Sequence, residues 1–206
     1  MEKKSLSQQT AHRFPGAPFF ESIHTDTFDQ EGSHMIRKAQ ETDLPAVAAI
    51  YEAILDGEER GPVYTNWQRG KYPTIDTARD ALEAGTLYVG ESDGRLWGVV
   101  NLNGEQLPEY DEIPWSIPAE RNQVGVIHTL CIHPDCAGHG YARQMVDFCE
   151  AEARRLGKTV IRLDTWEGNR PANHLYPSHG YRFAGATEFF FMGFIHETLN
   201  CYEKLL

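Results

Sequence analysis

The sequence predicts an α/β domain built on a mixed sheet with helices packed against it. Three observations carry that prediction. Thr86 to Glu91 and Arg95 to Asn103 run apolar or alternate around Ser92-Asp93-Gly94, which signals a tight β-hairpin. A continuous apolar run, Val124 to Ile132, leads through small residues into a helical pattern that ends at Gly157. A further strand-like run, Thr159 to Leu163, follows at once, so strands and helices alternate in this half of the chain.

The elements follow in order. Residues 1–34 are polar, turn-rich and aperiodic, and the chain then reads Gly32-Ser33-His34-Met35, the trace of a common cloning junction before a start methionine. They are read as an expression leader, with one domain over 35–206; a native extension packed across the domain is the other reading. Met35 to Ala39 is a first strand. Thr42-Asp43-Leu44-Pro45 caps an amphipathic helix running through Leu55. Glu58 to Tyr72 reads as a Gly- and aromatic-containing loop or irregular helix pair. Thr77 to Ala84 forms a second helix stopped at Gly85. After the hairpin, Gln106 to Arg121 is a polar, Pro-containing insertion. The central strand Val124 to Ile132 feeds a helix from about Gly140 to Leu156. Thr159 to Leu163 is a strand, Arg170 to His179 a short helix, and the tail supplies one or two strands.

With 41% hydrophobic and 24% charged residues in a chain of 206, one soluble domain with an ordinary core is expected. The net charge of -11 and sequence pI near 5.2 argue against a nucleic-acid or anionic-membrane partner. Cys131, Cys136, Cys149 and Cys201 lack a scaffold-like spacing, which fits a reduced, cytoplasmic protein. No run reaches the length of a membrane span, and the N-terminus has no apolar signal core. The histidines form no recognised zinc spacing, so no metal is expected. The absence of a Gly-x-Ser-x-Gly elbow argues against a serine hydrolase.

Two motifs carry the chemistry. His133-Pro134-Asp135-Cys136-Ala137-Gly138-His139-Gly140-Tyr141-Ala142 joins the central strand to a helix start, where small residues and free N–H groups can cradle a pyrophosphate. The second runs from Asn169 through Ala172, Leu175 and Tyr176 to Gly180-Tyr181. Together they resemble the coenzyme A site of the GNAT (GCN5-related N-acetyltransferase) superfamily. Pro134, Gly140 and Ala142 match the first family motif, with Gly138 a frequent extra glycine. Ala137 stands where the family carries Gln or Arg and removes a polar side chain from the phosphates.

The resemblance covers roughly Met35 to the C-terminus and implies a mostly antiparallel sheet and acetyl-CoA as cofactor. It implies backbone donors to the pyrophosphate at Gly138, His139, Gly140, Tyr141 and Ala142, beside Ala137. Pantetheine would pair with the backbone at Leu130, Cys131 and Ile132, and Asn169 and Ala172 would border it. Tyr176 would protonate the departing thiolate. Homodimers are common in the superfamily, and Phe189-Phe190-Phe191 suits either an intersubunit or an internal strand.

The general base has three candidates: His128, placed by alternation on the same face as Leu130 and Ile132, and Glu105 and Asp164 near strand ends. His128 is equally readable as a hydrogen-bonded core residue. Tyr64, Trp67, Tyr72, Tyr110, Trp115 and Trp166 are candidates for an aromatic acceptor mouth. Glu58, Glu59, Asp111 and Glu112 are candidates for attracting a cationic amine. The expected activity is acetyl transfer to a primary amine of a small molecule by direct attack. The alternatives are a protein or peptide N-acetyltransferase and a non-catalytic acyl-CoA sensor.

Overall fold

The computed structural model describes residues 34–191 and 193–206, so the expected leader falls outside the described residues apart from His34. The strands are β1 (His34–Lys38), β2 (Leu87–Ser92), β3 (Arg95–Asn103), β4 (Val124–Ile132), β5 (Val160–Trp166), β6 (Arg182–Phe191) and β7 (Ile195–Leu205). The helices are α1 (Leu44–Arg60), α2 (Ile75–Glu83), α3 (Tyr141–Arg155) and α4 (Arg170–Ser178). One sheet runs in the order β1-β2-β3-β4-β5-β7-β6. Every neighbouring pair is antiparallel except β4 with β5, which is parallel. This is the mixed, mostly antiparallel sheet that the motifs imply. Among the described residues, no helix is long and apolar enough to cross a membrane.

Local chemistry explains most boundaries. Asp93 (φ 51°) and Gly94 (φ 74°) are both left-handed, the backbone of a two-residue hairpin turn that matches strand twist. α1 starts at a first-turn proline and buries Leu44, Val47, Ile50, Tyr51 and Leu55 along one face. It continues to Arg60, beyond the expected end, because its last turns find partners outside the local pattern. Arg69 donates to Asp56 and Glu59, and Glu58 accepts from the Tyr64 and Thr65 amides at 2.7 and 2.8 Å. Gly90 has a packing reason to be glycine: an added Cβ would lie 2.3 Å from the Trp97 ring.

The core has three parts. One, around Trp97, Met145, Val146, Leu163 and Tyr176, lies under α3 and α4. A second, around Val47, Ile50, Ala78, Val99 and Cys131, lies under α1 and α2. The third joins Tyr110 and Ile113 to Val126, Phe189, Leu199 and Cys201, so the 106–121 insertion covers the sheet rather than looping into solvent. The buried Glu203 carboxylate pins this cover by accepting from the Ser116 amide (2.7 Å), the Ser116 hydroxyl (2.6 Å) and the Ile117 amide (3.3 Å). Phe189 to Phe191 belong to β6 and pair with β7 of the same chain.

β4 is irregular where it matters. Its pairing with β5 spans only Val124↔Val160 to Ile127↔Leu163, and its register with β3 shifts between Val99 and Asn101. Thr129 takes up the extra residue with φ at 49°, unusual for a β-branched side chain. Beyond the bulge the faces are exchanged. Ile127, Leu130 and Ile132 all reach the α3/α4 core, although three positions separate the first two, while Cys131 joins the α1/α2 core. His128 therefore does not share a face with Leu130 and Ile132, contrary to the alternation argument, because that argument assumes a regular strand.

Candidate active site

Where β4 and β5 part, a cavity of about 160 Å³ opens between them. β4 contributes Ile127, His128, Thr129 and Leu130; β5 contributes Asp164, Thr165 and Trp166. The start of α4 adds Asn169, Ala172 and Tyr176, and β7 adds Glu197 and Leu199. The 61–74 loop closes one side with Thr65, Trp67 and Tyr72. It is tied down by Tyr72, whose hydroxyl lies 2.8 Å from Thr129 Oγ1 at the bulge, and by Asn66, which donates to His196 O and Glu197.

The titratable groups are held in distinct states. His128 Nε2 faces two acceptors, Asn103 Oδ1 at 3.1 Å and the Glu105 carbonyl at 3.2 Å. Asn103 Oδ1 is itself fixed as an acceptor by the Glu105 amide at 2.8 Å. The proton of a neutral His128 therefore sits on Nε2, leaving Nδ1 as the basic nitrogen. Burial lowers the His128 pKa below its ordinary 6.5, against the opposing pull of Asp164, so the ring is neutral near pH 7. Asp164 accepts a 2.7 Å bond from Tyr110 Oη; burial raises its pKa despite that bond and the nearby His128.

Tyr176 projects from α4 with its ring against Tyr181 and Tyr202, at centroid distances of 5.6 and 6.0 Å. Burial raises its pKa, so the phenol stays protonated and can only donate to a developing anion. Asn169 serves as the cap of α4, accepting from the Ala172 amide at 3.1 Å while also lining the cavity. Asn173 fixes the helix to the sheet: its Nδ2 donates to the Trp166 and Asn169 carbonyls, and its Oδ1 accepts from Asn200 and Tyr202.

At the end of β4, the 133–140 turn delivers the N-terminus of α3. Gly138 (φ 79°) and Gly140 (φ 82°) are left-handed, and an added Cβ at either would meet nothing within 4 Å. The amides of Gly138, His139, Gly140, Tyr141 and Ala142 precede the first bonds of α3, which Arg143 and Gln144 make to the Gly140 carbonyl. No side chain caps that end, so a helix terminus with partial positive charge faces outward beside two glycines. The turn suits a pyrophosphate. Ala137 does not contribute a donor, since its amide is committed to Pro134 O at 3.0 Å. The Tyr141 ring stacks on Trp97 at 4.5 Å, which holds the first residue of α3 against the core. Arg143 donates to Ser178 Oγ at 3.1 Å and so joins α3 to α4.

Several expected site residues lie elsewhere. Tyr110 is 1% exposed and acts on the cavity only through Asp164. Trp115 is carried away by the insertion, where Arg162 stacks on it at 4.3 Å and its Nε1 donates to Tyr110 O. Tyr64 falls one residue short of the cavity, which Thr65 lines instead. Glu105 offers His128 its carbonyl, while its side chain is outside the lining. Ile132 packs into the α3/α4 core. The Cys131 thiol faces α1, its pKa pushed up by burial, rather than bordering the cavity.

The acidic residues proposed to draw in an amine are used structurally. Glu58 caps a loop, Glu59 pairs with Arg69, Asp111 pairs with Arg121, and Glu112 accepts from Thr187. The carboxyls that do line the cavity are Asp164 and Glu197. Glu197 carried no local signal: it sits in an ordinary alternating strand, and only the pairing of β7 with β5 and β6 brings it here.

A model of the acetyltransferase (GNAT) family matches residues 47–181. Among solved structures, a GNAT-family acetyltransferase from Streptococcus agalactiae is 22% identical, with 84% of this chain and 95% of that one covered and a TM-score of 0.68. The yncA protein of Salmonella typhimurium, solved with its cofactor acetyl-CoA, is 20% identical over 85% of this chain and 95% of its own, with a TM-score of 0.64. A ribosomal-protein-alanine N-acetyltransferase from Brucella melitensis is 20% identical over 83% and 99%, with a TM-score of 0.63. No match is found among curated proteins.

Proposed function

The chain belongs to the acetyltransferase (GNAT) family, and on that premise we propose that it transfers the acetyl group of acetyl-CoA to the primary amine of a small molecule by direct attack. The observation that carries this reading is the cavity at the parting of β4 and β5. It gathers a neutral histidine, a buried carboxyl and a protonated phenol, at the same end of β4 as the α3 turn.

Each part has a task. The amides of Gly138 to Ala142 and the α3 dipole hold the pyrophosphate. The β4 edge beyond Ile127, released from β5, is open to the pantetheine arm. When bound, acetyl-CoA supplies the acetyl group as a thioester. His128 Nδ1 takes the proton that the acceptor nitrogen sheds as it bonds to the acetyl carbon, and the charged imidazolium is stabilised by Asp164. Tyr176 gives its proton to the sulfur as the carbon–sulfur bond breaks, and the phenolate recovers one from solvent. Tyr110 keeps the Asp164 carboxyl oriented. An attacking amine needs no enzyme nucleophile, which agrees with Cys131 being turned into the core.

The test is thiol release from acetyl-CoA across small amines, short peptides and a no-amine control, with CoA binding recorded by calorimetry. Amine-dependent release supports the reading. Binding without turnover on any acceptor favours the sensing alternative, and a folded protein that binds no CoA overturns the proposal.

A further inference from the structure

The inward face of β7 carries two carboxylates, Glu197 and Glu203, on the same alternating series as Leu199 and Cys201. Their circumstances differ. Glu203 accepts three hydrogen bonds from Ser116 and Ile117, and the charge of Arg162 lies close by. Glu197 lines the cavity and, among the described residues, receives a single long bond, 3.3 Å, from Asn66 Nδ2. A carboxylate has about four acceptor sites, and withdrawing one from water with so few donors is costly. Burial therefore pushes the Glu197 pKa up to about 7, and a cationic partner would hold it ionised. The surroundings define that partner. Asp164 is a second acidic group in the same cavity, and among the described residues no Lys or Arg lines it. Trp67, Tyr72 and Trp166 supply aromatic walls, which favour a cation over an anion or a neutral polar group.

The two acidic groups also lie at different depths. Asp164 pairs with Cys201, four positions along β7 from Glu197, which separates their backbones by about 13 Å. Asp164 accepts the Tyr110 hydroxyl bond and lies near His128, at the reacting end. Glu197 lies at the end closed by the 61–74 loop.

We propose that Glu197 binds a second, non-reacting ammonium group of the acceptor, so that the enzyme selects aliphatic diamines and polyamines over monoamines and over amino acids with a free carboxylate. This rests on the N-acetyltransferase reading above and names the substrate class for it. Glu197 is a specificity residue in this scheme; it takes no proton from the attacking nitrogen.

The experiment titrates putrescine, spermidine, n-butylamine and glutamate into the protein, with and without CoA, for the wild type and for Glu197→Gln and Glu197→Asp. Putrescine or spermidine is expected to bind at least about tenfold more tightly than butylamine, with glutamate weakest. Glu197→Gln should weaken diamine binding by about 10- to 100-fold, the range of a charge-assisted hydrogen bond, and leave butylamine and CoA unchanged. Glu197→Asp, which keeps the charge, should recover part of the loss. In turnover the Gln variant should raise KM for putrescine with kcat nearly constant. Equal binding of putrescine and butylamine, or diamine binding indifferent to Glu197→Gln, overturns the proposal. Failure to bind CoA counts against the acetyltransferase reading alone, because the titration without CoA still reports on Glu197.

Discussion

Replacing Tyr176 with Phe separates chemistry from packing more sharply than any other change in this site. The side chain is 6% exposed, and its contacts with Tyr181 and Tyr202 are made through the ring, which Phe retains. The hydroxyl bonds to no described residue, so its loss leaves no buried partner stranded. The expected stability change is within about 0.5 kcal/mol, the range for substitutions that break no network. The catalytic change is of another order. A positioned general acid is worth roughly 10²- to 10⁴-fold in rate, which corresponds to about 3 to 5 kcal/mol of barrier. Steady-state thiol release with saturating acetyl-CoA and a responsive amine measures the loss in kcat, and thermal unfolding of the same preparation measures the fold. CoA affinity should stay within a factor of about three. A variant with wild-type kcat refutes Tyr176 as the proton donor. A variant that loses kcat only in step with its melting temperature refutes the claim that the hydroxyl is spare in the resting fold.

Other expectations follow from the same geometry. Because burial depresses the His128 pKa, and only the neutral ring accepts a proton, kcat/KM expressed per unprotonated amine should rise with pH through a pKa below 6.5 and level off above it; His128→Gln should abolish that acid limb, and a profile unaltered by the substitution would remove His128 from the mechanism. Gly140→Ala places a Cβ at φ 82°, costing about 1 to 2 kcal/mol, although the space around it is open; calorimetry should find CoA binding weakened while the amine site is preserved. Glu203→Gln weakens the charge-assisted bonds to Ser116 and leaves Arg162 without its neighbouring charge; denaturant unfolding should report a loss of about 2 kcal/mol or more, with new proteolytic cleavage inside 106–121.

The elements themselves were legible from local chemistry. The Asp93-Gly94 turn, the proline opening α1, the glycines that end α2 and α3 and the boundaries of β4 all follow from residues a few positions apart. The expected Thr42-Asp43 cap of α1 does not form, because the Asp43 carboxylate is drawn to Arg37 and the Gln40 amide and a 3-10 turn over Glu41–Asp43 precedes the helix. The phosphate turn was readable for the same reason, since its small residues and the helix start it precedes are contiguous. Asn169, Ala172 and Tyr176 were legible as a motif, and α4 brings them to one cavity.

What the sequence did not disclose depends on contacts between distant segments. Thr129 has no local signature of a bulge: a β-branched residue in an apolar run reads as regular strand, and its left-handed backbone is sustained by the register of β3 and the Tyr72 hydroxyl. That one residue turns His128 away from Leu130 and lies just past the last β4–β5 pair, Ile127↔Leu163, where the cavity opens. Glu197 and Glu203 share an alternation and a residue type, yet one is satisfied by the insertion and the other faces the cavity. Tyr110 and Trp115 looked like site aromatics because composition reports their chemistry but not where the insertion folds. Composition, period and turn chemistry determined the class, the element order and the cofactor turn of this protein. Strand register and the docking of two loops decided which side chains meet, because those depend on pairings between positions tens of residues apart.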